Sequence, residues 1–258
     1  MNTIHPTAIV SSKAKIGDNN VIAPFAIIED DVEIGNDCHI GPHAVLYNGA
    51  RIADRVKIYQ CASVAHKPQD LKFGNESTYF YVGDDTVIHE FVTLHRGTKE
   101  TGFSRIGKNC LLMAYSHVAH DCVIGDNVIF ANGVQIGGHV HIDDWVIIGG
   151  TSAVHQFSFV GKHTMVGGNC AVVKDVPPFI ICGRSPIKFE GLNKVGLRRR
   201  GFSSQDIEII KKSYDMLYNS GLNVSQALIK IETELGNNKQ VKDIISFIRN
   251  SKRGIIGR

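Results

Sequence analysis

Along two thirds of the chain, every sixth position is aliphatic. From Ile4 the series runs Val10, Ile16, Ile22, Ile28, Ile34, Ile40, Leu46, Ile52, Ile58 and Val64, and it is still in phase at Ile136, Val154 and Val172. Between Ile4 and Val172 the in-phase positions that break it are Asp70, Glu76 and Glu100. A period of six suits neither a helix, near 3.6, nor one long strand, at two. It suits short strands joined by tight turns, three to a coil, with each coil adding one strand spacing of about 4.8 Å. The aliphatic column then fills the inside of a prism. The next residue is often glycine, as at Gly17, Gly35, Gly107, Gly125 and Gly149, which predicts unusual turn dihedrals there. Four residues after the aliphatic comes a small or β-branched residue, such as Ala26, Cys38, Cys110, Cys122, Ser152 or Cys170, expected to complete the inner corner.

The three exceptions mark two interruptions, about 65–81 and 98–105. The first contains Pro68 and Gly74 among polar residues and should leave the coil as a loop. Loops projecting from a rigid solenoid are natural places for substrate contacts. The period ends near Val176-Pro177-Pro178, and helical spacing replaces it. Ser203 to Asp206 reads as a helix start, followed by Ile207, Ile210, Tyr214 and Leu217, with Gly221 past the end. Asn223 starts a second helix through Ala227, Ile231 and Leu235, closed by Gly236. Val241, Ile244, Ile245 and Ile248 mark a third, near 240–250. The reading is a mainly β solenoid over 1–180 and a small helical domain over 181–258, with the stretch ending at Arg258 loose.

Composition narrows the function. Hydrophobic residues make up 43% and the formal charge is +3, giving little ground for nucleic-acid binding, which wants a clustered basic face. No stretch approaches the roughly 18 apolar residues of a membrane span, and the start, Met1 to Pro6, has no signal-peptide pattern. A soluble, cytoplasmic protein without stable membrane insertion is expected. The six cysteines contain no Cys-x-x-Cys pair and read as inert core thiols.

Twelve histidines offer close pairs, His39/His43, His117/His120 and His139/His141, but no metal constellation, and no metal is expected. The segment from Leu111 to Cys122 is more telling. With Val118 and Cys122 pointing inward, His120 and Asp121 fall on the turn between them. Acyl transfer to a sugar hydroxyl needs a base near neutral pH, and a carboxylate can orient and polarise an imidazole for that work. Neighbours in sequence need not hydrogen-bond, so the residues alone favour two solvated turn side chains over a catalytic pair.

The whole chain resembles the UDP-N-acetylglucosamine 3-O-acyltransferases that open lipid A biosynthesis in Gram-negative bacteria. The matching motifs are Gln69-Asp70-Leu71-Lys72, Thr93-Leu94-His95-Arg96-Gly97, His117 to Cys122, Ala153-Val154-His155-Gln156-Phe157, Met165-Val166-Gly167-Gly168, Asp175-Val176-Pro177-Pro178 and Arg199-Arg200-Gly201-Phe202. The hexapeptide repeat alone serves many acyltransferases; these segments in this order, followed by a helical tail, are specific. The resemblance implies a left-handed parallel β-helix, a homotrimer with sites in the clefts between subunits, and no bound cofactor, since phosphopantetheine arrives on acyl carrier protein.

The resemblance also implies roles. His120 matches the general base, Asp121 its carboxylate, and Gly138 the backbone N–H that meets the oxyanion. His117, Gln69, Asp70, Lys72, His139, His155 and Gln156 match positions lining the substrate cleft, and Asn193, Arg199 and Arg200 the region at the UDP end. Gly168 falls where the acyl-length ruler of the family sits; lacking a side chain, it leaves the channel open and predicts a long chain, about fourteen carbons over ten, since such pockets sort chains by size. Val195 departs from a glutamate that some members carry, and Tyr115 from a smaller residue beside the active histidine. The basic run Arg198-Arg199-Arg200, with Lys188 and Lys194, could steer an acidic carrier protein or simply be solvated. The rivals are a 3-amino sugar acceptor, the N-acyltransferase of the same pathway, which usually carries a further N-terminal uridine-binding domain, a γ-type carbonic anhydrase, and a structural solenoid without excursions.

Overall fold

The structure is a computed structural model and describes residues 1–74 and 76–258. Three parallel sheets form the faces of a prism. The first face begins with Thr3–Ile4, the second with Ile9–Val10 and the third with Lys15–Ile16. Each strand pairs with the one a full coil later: Ile4 with Ile22, Val10 with Ile28, Ile16 with Ile34. From Ile22 onward the in-phase aliphatics are almost wholly buried, whereas Ile4, on the open first coil, is 46% exposed. The apolar column is therefore continuous from coil to coil, and its burial is the main stabilising term.

The excursions are narrower than the sequence reading. Strands extend through Ser63–His66 and Tyr79–Val82 on one side, and resume at Phe103–Ile106 on the other. Ser63 pairs with Thr93 and Thr93 with His117. Those partners are 30 and 24 apart in sequence, where an unbroken coil has 18, so the excursions add twelve and six residues. Both are whole multiples of six. The phase survives them for that reason, and the three exceptions are the in-phase positions that fall outside the coil.

The glycines act differently from expectation. Gly17, Gly35, Gly107 and Gly125 do not have positive φ; the left-handed residues come two positions later, and include Asn19, Asp37, Asn109 and Asn127. What excludes a side chain at Gly125 is crowding: a Cβ there would lie 2.4 Å from Asp144 Oδ1 and 2.8 Å from its N. That carboxylate is fixed because Oδ1 accepts from Asp126 N at 2.8 Å. Asp126 in turn accepts from Lys108 N, and Asp54 from Asn36 N, so a ladder of side-chain acceptors caps the turn amides at the corner between third and first faces. The inner-corner cysteines also have a polar task. Cys38, Cys110 and Cys122 donate to the carbonyls of Ala53, Gly125 and Gly137 in the next coil at 3.1–3.2 Å. Burial pushes the Cys122 thiol up to about 12, which keeps it a protonated donor.

Past Val172 the first face continues: Ile180–Gly183 pairs parallel with Met165–Val166, then antiparallel with Lys188–Leu192. Four helices follow. The short α1 (Lys194–Arg199) was not foreseen; α2 (Ser204–Asn219), α3 (Val224–Leu235) and α4 (Lys239–Asn250) match the three helical segments. Ser203 and Asn223 make reciprocal capping boxes with Asp206 and Gln226. The end of the chain is docked rather than loose: Ile256 is buried, its carbonyl accepts from Tyr218 Oη, and Ser251 Oγ donates to Asp175. Among the described residues no helix is long and apolar enough to cross a membrane.

Candidate active site

The turn from second to third face carries the chemistry. Val118 points inward, so His120 and Asp121 project at the corner, and Asp121 takes a left-handed φ of 60°. Stacked on it in successive coils are Gly138 with His139, then Gln156 with Phe157. His120 Nδ1 lies 2.7 Å from Asp121 Oδ2, so the two neighbours do hydrogen-bond.

Asp121 has no exposed side-chain surface. It accepts from Thr98 N and Thr98 Oγ1, each at 2.9 Å, and from Thr101 Oγ1. Burial opposes its ionisation, but donation from His120, Thr101 and Thr98 outweighs burial and holds the carboxyl well below the usual range. An ionised carboxylate only accepts, so His120 Nδ1 carries the proton and Nε2 is the free, basic nitrogen. The hydrogen bond to Asp121 raises the His120 pKa above 6.5 against its burial, helped by the charges of Asp121, Asp70 and Glu100.

Gly138 sits against the basic nitrogen. A Cβ on it would lie 2.8 Å from His120 Cε1 and 2.9 Å from Nε2. The turn amide in the same position on the other corner is capped by the next coil's Asp or Asn; among the described residues the Gly138 N–H has no acceptor. A base and an unengaged N–H thus border one small space, the arrangement that addition to a carbonyl requires.

His139 Nε2 is 3.6 Å from Asp121 Oδ2 and 3.7 Å from Glu100 Oε2, and its ring stacks on Phe157 at 4.5 Å. His120, Asp121 and His139 are close enough to suggest a cation site. The acceptor capacity of Asp121, however, is taken up by four protein donors, which leaves little for an ion. His117 stands outward on the second face with Nδ1 2.7 Å from Thr93 Oγ1; burial and then the His120 charge lower its pKa. Gln69 and Lys72 are exposed on the first excursion and Asp70 is half-buried, accepting from Lys72 N. His155 and Gln156 are exposed one coil beyond Gly138.

Other expected residues lie elsewhere. Gly168, exposed, sits on the turn from first to second face, at the opposite edge of the second face from His120. Tyr115 is on that same edge, stacked on Phe91 at 5.0 Å, rather than beside His120. Arg200 packs over Trp145 at 5.0 Å on the third corner, while Arg199 and Val195 are exposed. Asn193 is buried: its Oδ1 caps α1 by accepting from Gly196 N and its Nδ2 donates to His163 O, so it anchors the helix that carries the arginines. Sequence reasoning missed Thr98, Thr101 and His95. Burial and then the His117 charge take His95 down to about 4, and its Nδ1 bonds to Lys67 O at 2.8 Å, tying down the first excursion. A pair of threonines in a six-residue insertion beside the candidate base was the signal available.

A family model described as UDP N-acetylglucosamine O-acyltransferase, domain 2, matches residues 175–256, and one for bacterial transferase hexapeptides matches 31–66 and 103–138. An acyl-[acyl-carrier-protein]–UDP-N-acetylglucosamine O-acyltransferase of Thiobacillus denitrificans is 44% identical over 257 residues, covering 99% of this chain and 100% of that protein. The chain belongs to the UDP-N-acetylglucosamine O-acyltransferase family. Among solved structures, the family member from Bacteroides fragilis superposes with a TM-score of 0.97 at 44% identity, covering 98% of this chain and 100% of the other. A UDP-N-acetylglucosamine acyltransferase of Francisella novicida gives 0.97 at 35% identity, with 99% and 94% covered. The fold is accordingly the left-handed parallel β-helix of the family.

Proposed function

We propose that the protein transfers an (R)-3-hydroxyacyl chain from acyl carrier protein to the 3-hydroxyl of UDP-N-acetylglucosamine, the opening step of lipid A biosynthesis, in the cytoplasm. The observation that carries this reading is the His120 Nε2 left basic by Asp121, bordering an unengaged Gly138 N–H, in a member of this family. His120 Nε2 takes the sugar hydroxyl proton as that oxygen attacks the thioester carbonyl. The oxyanion forms against the Gly138 N–H. Collapse breaks the carbon–sulfur bond, and the departing thiolate of the carrier's phosphopantetheine takes the proton back from His120. No resident cofactor or metal enters these steps. Nor does a cysteine nucleophile: Cys122 is buried and its thiol stays protonated.

The acting unit is a homotrimer. In one chain His120, Gly168 and Arg200 stand on three different edges of the prism, and only a neighbouring prism laid alongside can bring a second edge to the His120 cleft. Within that cleft Gln69, Asp70, Lys72, His117, His139, His155 and Gln156 line the substrate, and Arg199 and Arg200 meet the UDP end. Incubation with hydroxyacyl carrier proteins of several lengths and with both 3-hydroxy and 3-amino sugar nucleotides, read by mass spectrometry, tests the reaction. An ester on the 3-hydroxy sugar is expected, abolished in His120→Ala while the native mass stays three times the 28.3 kDa chain. Full turnover by His120→Ala, or an amide product alone, would refute it.

A further inference from the structure

We propose that Thr98 and Thr101, on the excursion between His95 and Phe103, are positioning residues that clamp the Asp121 carboxylate and thereby fix the proton affinity and orientation of His120. The proposal rests on His120 being the base.

The hydrogen-bond inventory is closed. The Thr98 hydroxyl accepts from Glu100 N at 3.2 Å, so its own proton is free to go to Asp121 Oδ2, 2.9 Å away. The Thr101 hydroxyl accepts from Phe103 N and contacts both Phe103 O and Asp121 Oδ1, with the carboxylate the closer and the charged partner. Thr98 N supplies a third donor to Oδ1. The excursion is itself folded for this: Gly102 N donates back to Thr98 O at 2.8 Å, and Gly102 has a φ of 79°, open to glycine at no cost. Gly102 O still accepts from Tyr79 N in the coil's ladder, while the two threonine side chains and the Thr98 amide turn to one carboxylate.

Hydroxyl donors have two effects on a buried anion. They hold it in place, and they spread its charge, so that it draws the His120 proton less strongly. Among the described residues the other charged and titratable groups facing the pair are His139, Glu100, Asp70, His117 and His95. Replacing threonine by valine changes none of their charges. Loss of the hydroxyls should loosen the imidazole and leave a more basic carboxylate beside it, making His120 harder to deprotonate.

The test uses the full chain with carrier-bound hydroxyacyl substrate and UDP-N-acetylglucosamine. Thr98→Val and Thr101→Val are each expected to lower kcat about tenfold or more, because slight misplacement of a catalytic group is that costly, with the sugar-nucleotide KM within twofold. The acid limb of the pH–rate profile should move to higher pH, and Thr98→Ser should restore both. A normal native mass and melting midpoint establish that the variants fold. The proposal is overturned by unchanged kcat and acid limb, by a rise in KM alone, by an acid limb moving down, or by a serine variant as impaired as the valine. His120→Ala in the same assay separates the two readings: if it stays active the base assignment fails, and if it is dead while the valine variants run normally the clamp alone fails.

Discussion

Placing a methyl group on Gly138 tests the site at its tightest contact. In Gly138→Ala the Cβ would stand 2.8 Å from His120 Cε1 and 2.9 Å from Nε2. Carbon–carbon and carbon–nitrogen contacts relax at about 3.5 Å, so the imidazole must retreat by roughly 0.7 Å. It cannot do so freely, because its Nδ1 is held 2.7 Å from a buried carboxylate. Displacement on that scale costs about a hundredfold in rate, or about 2.7 kcal/mol of activation free energy. Gly138 does not have positive φ, so alanine adds no backbone strain, and its N–H is retained. The loss should therefore appear in kcat measured with saturating sugar nucleotide, with the melting midpoint almost unmoved. Activity within a few-fold of the parent, or a large fall in midpoint, would refute the reasoning.

The pH profile carries a sign. His120 acts as a base only when neutral and its pKa is raised, so turnover should fall as pH drops through a value above the ordinary 6.5. Asp121 works in the opposite direction on stability: its folded-state pKa is depressed, so its contribution is present above the unfolded value of about 3.9 and is lost as pH falls through the folded one, a loss that Asp121→Asn should abolish in acid-unfolding curves. Gly125→Ala should lower the melting midpoint by crowding Asp144, whereas Asn127→Gly, at a left-handed position, should be nearly neutral; the reverse order would overturn the account of the turns. Gly168→Met should shift acyl preference toward shorter chains in competition between carrier proteins, since a Cβ there meets the Gly150 carbonyl at 3.3 Å and the side chain must extend outward.

How far the molecule could be read beforehand depends on how local each feature is. The prism was legible because one aliphatic every six residues is a property of the chain alone, and the excursions, being twelve and six residues long, did not disturb the count. The glycines were read for their dihedrals when the real constraint at Gly35, Gly107 and Gly125 is the aspartate one coil above, and nothing at Gly125 itself reveals that Asp144 will press on it. Cys110 and Cys122 were seen as small and buried, but not as donors, because their acceptors lie in the next coil. Asn193 was legible as part of a motif, but that its Oδ1 caps α1 while its Nδ2 donates to His163 O depends on a turn 30 residues away. His120 and Asp121 were legible as residues; that they bond, and which nitrogen is basic, followed only once Thr98 and Thr101 had closed around the carboxylate.

The stacking of His120, Gly138 and Gln156 along one corner has a bearing on how such a catalyst could change. Side chains there are separated by the rise of the coil, about 4.8 Å, and by nothing adjustable. The edge is graduated, like a rack with fixed teeth. A group can be exchanged at a tooth, or the reagents moved by a whole tooth, but no intermediate offset is open to this backbone. New acceptor geometries would thus be met from the projecting segments, while the rack itself stays unaltered.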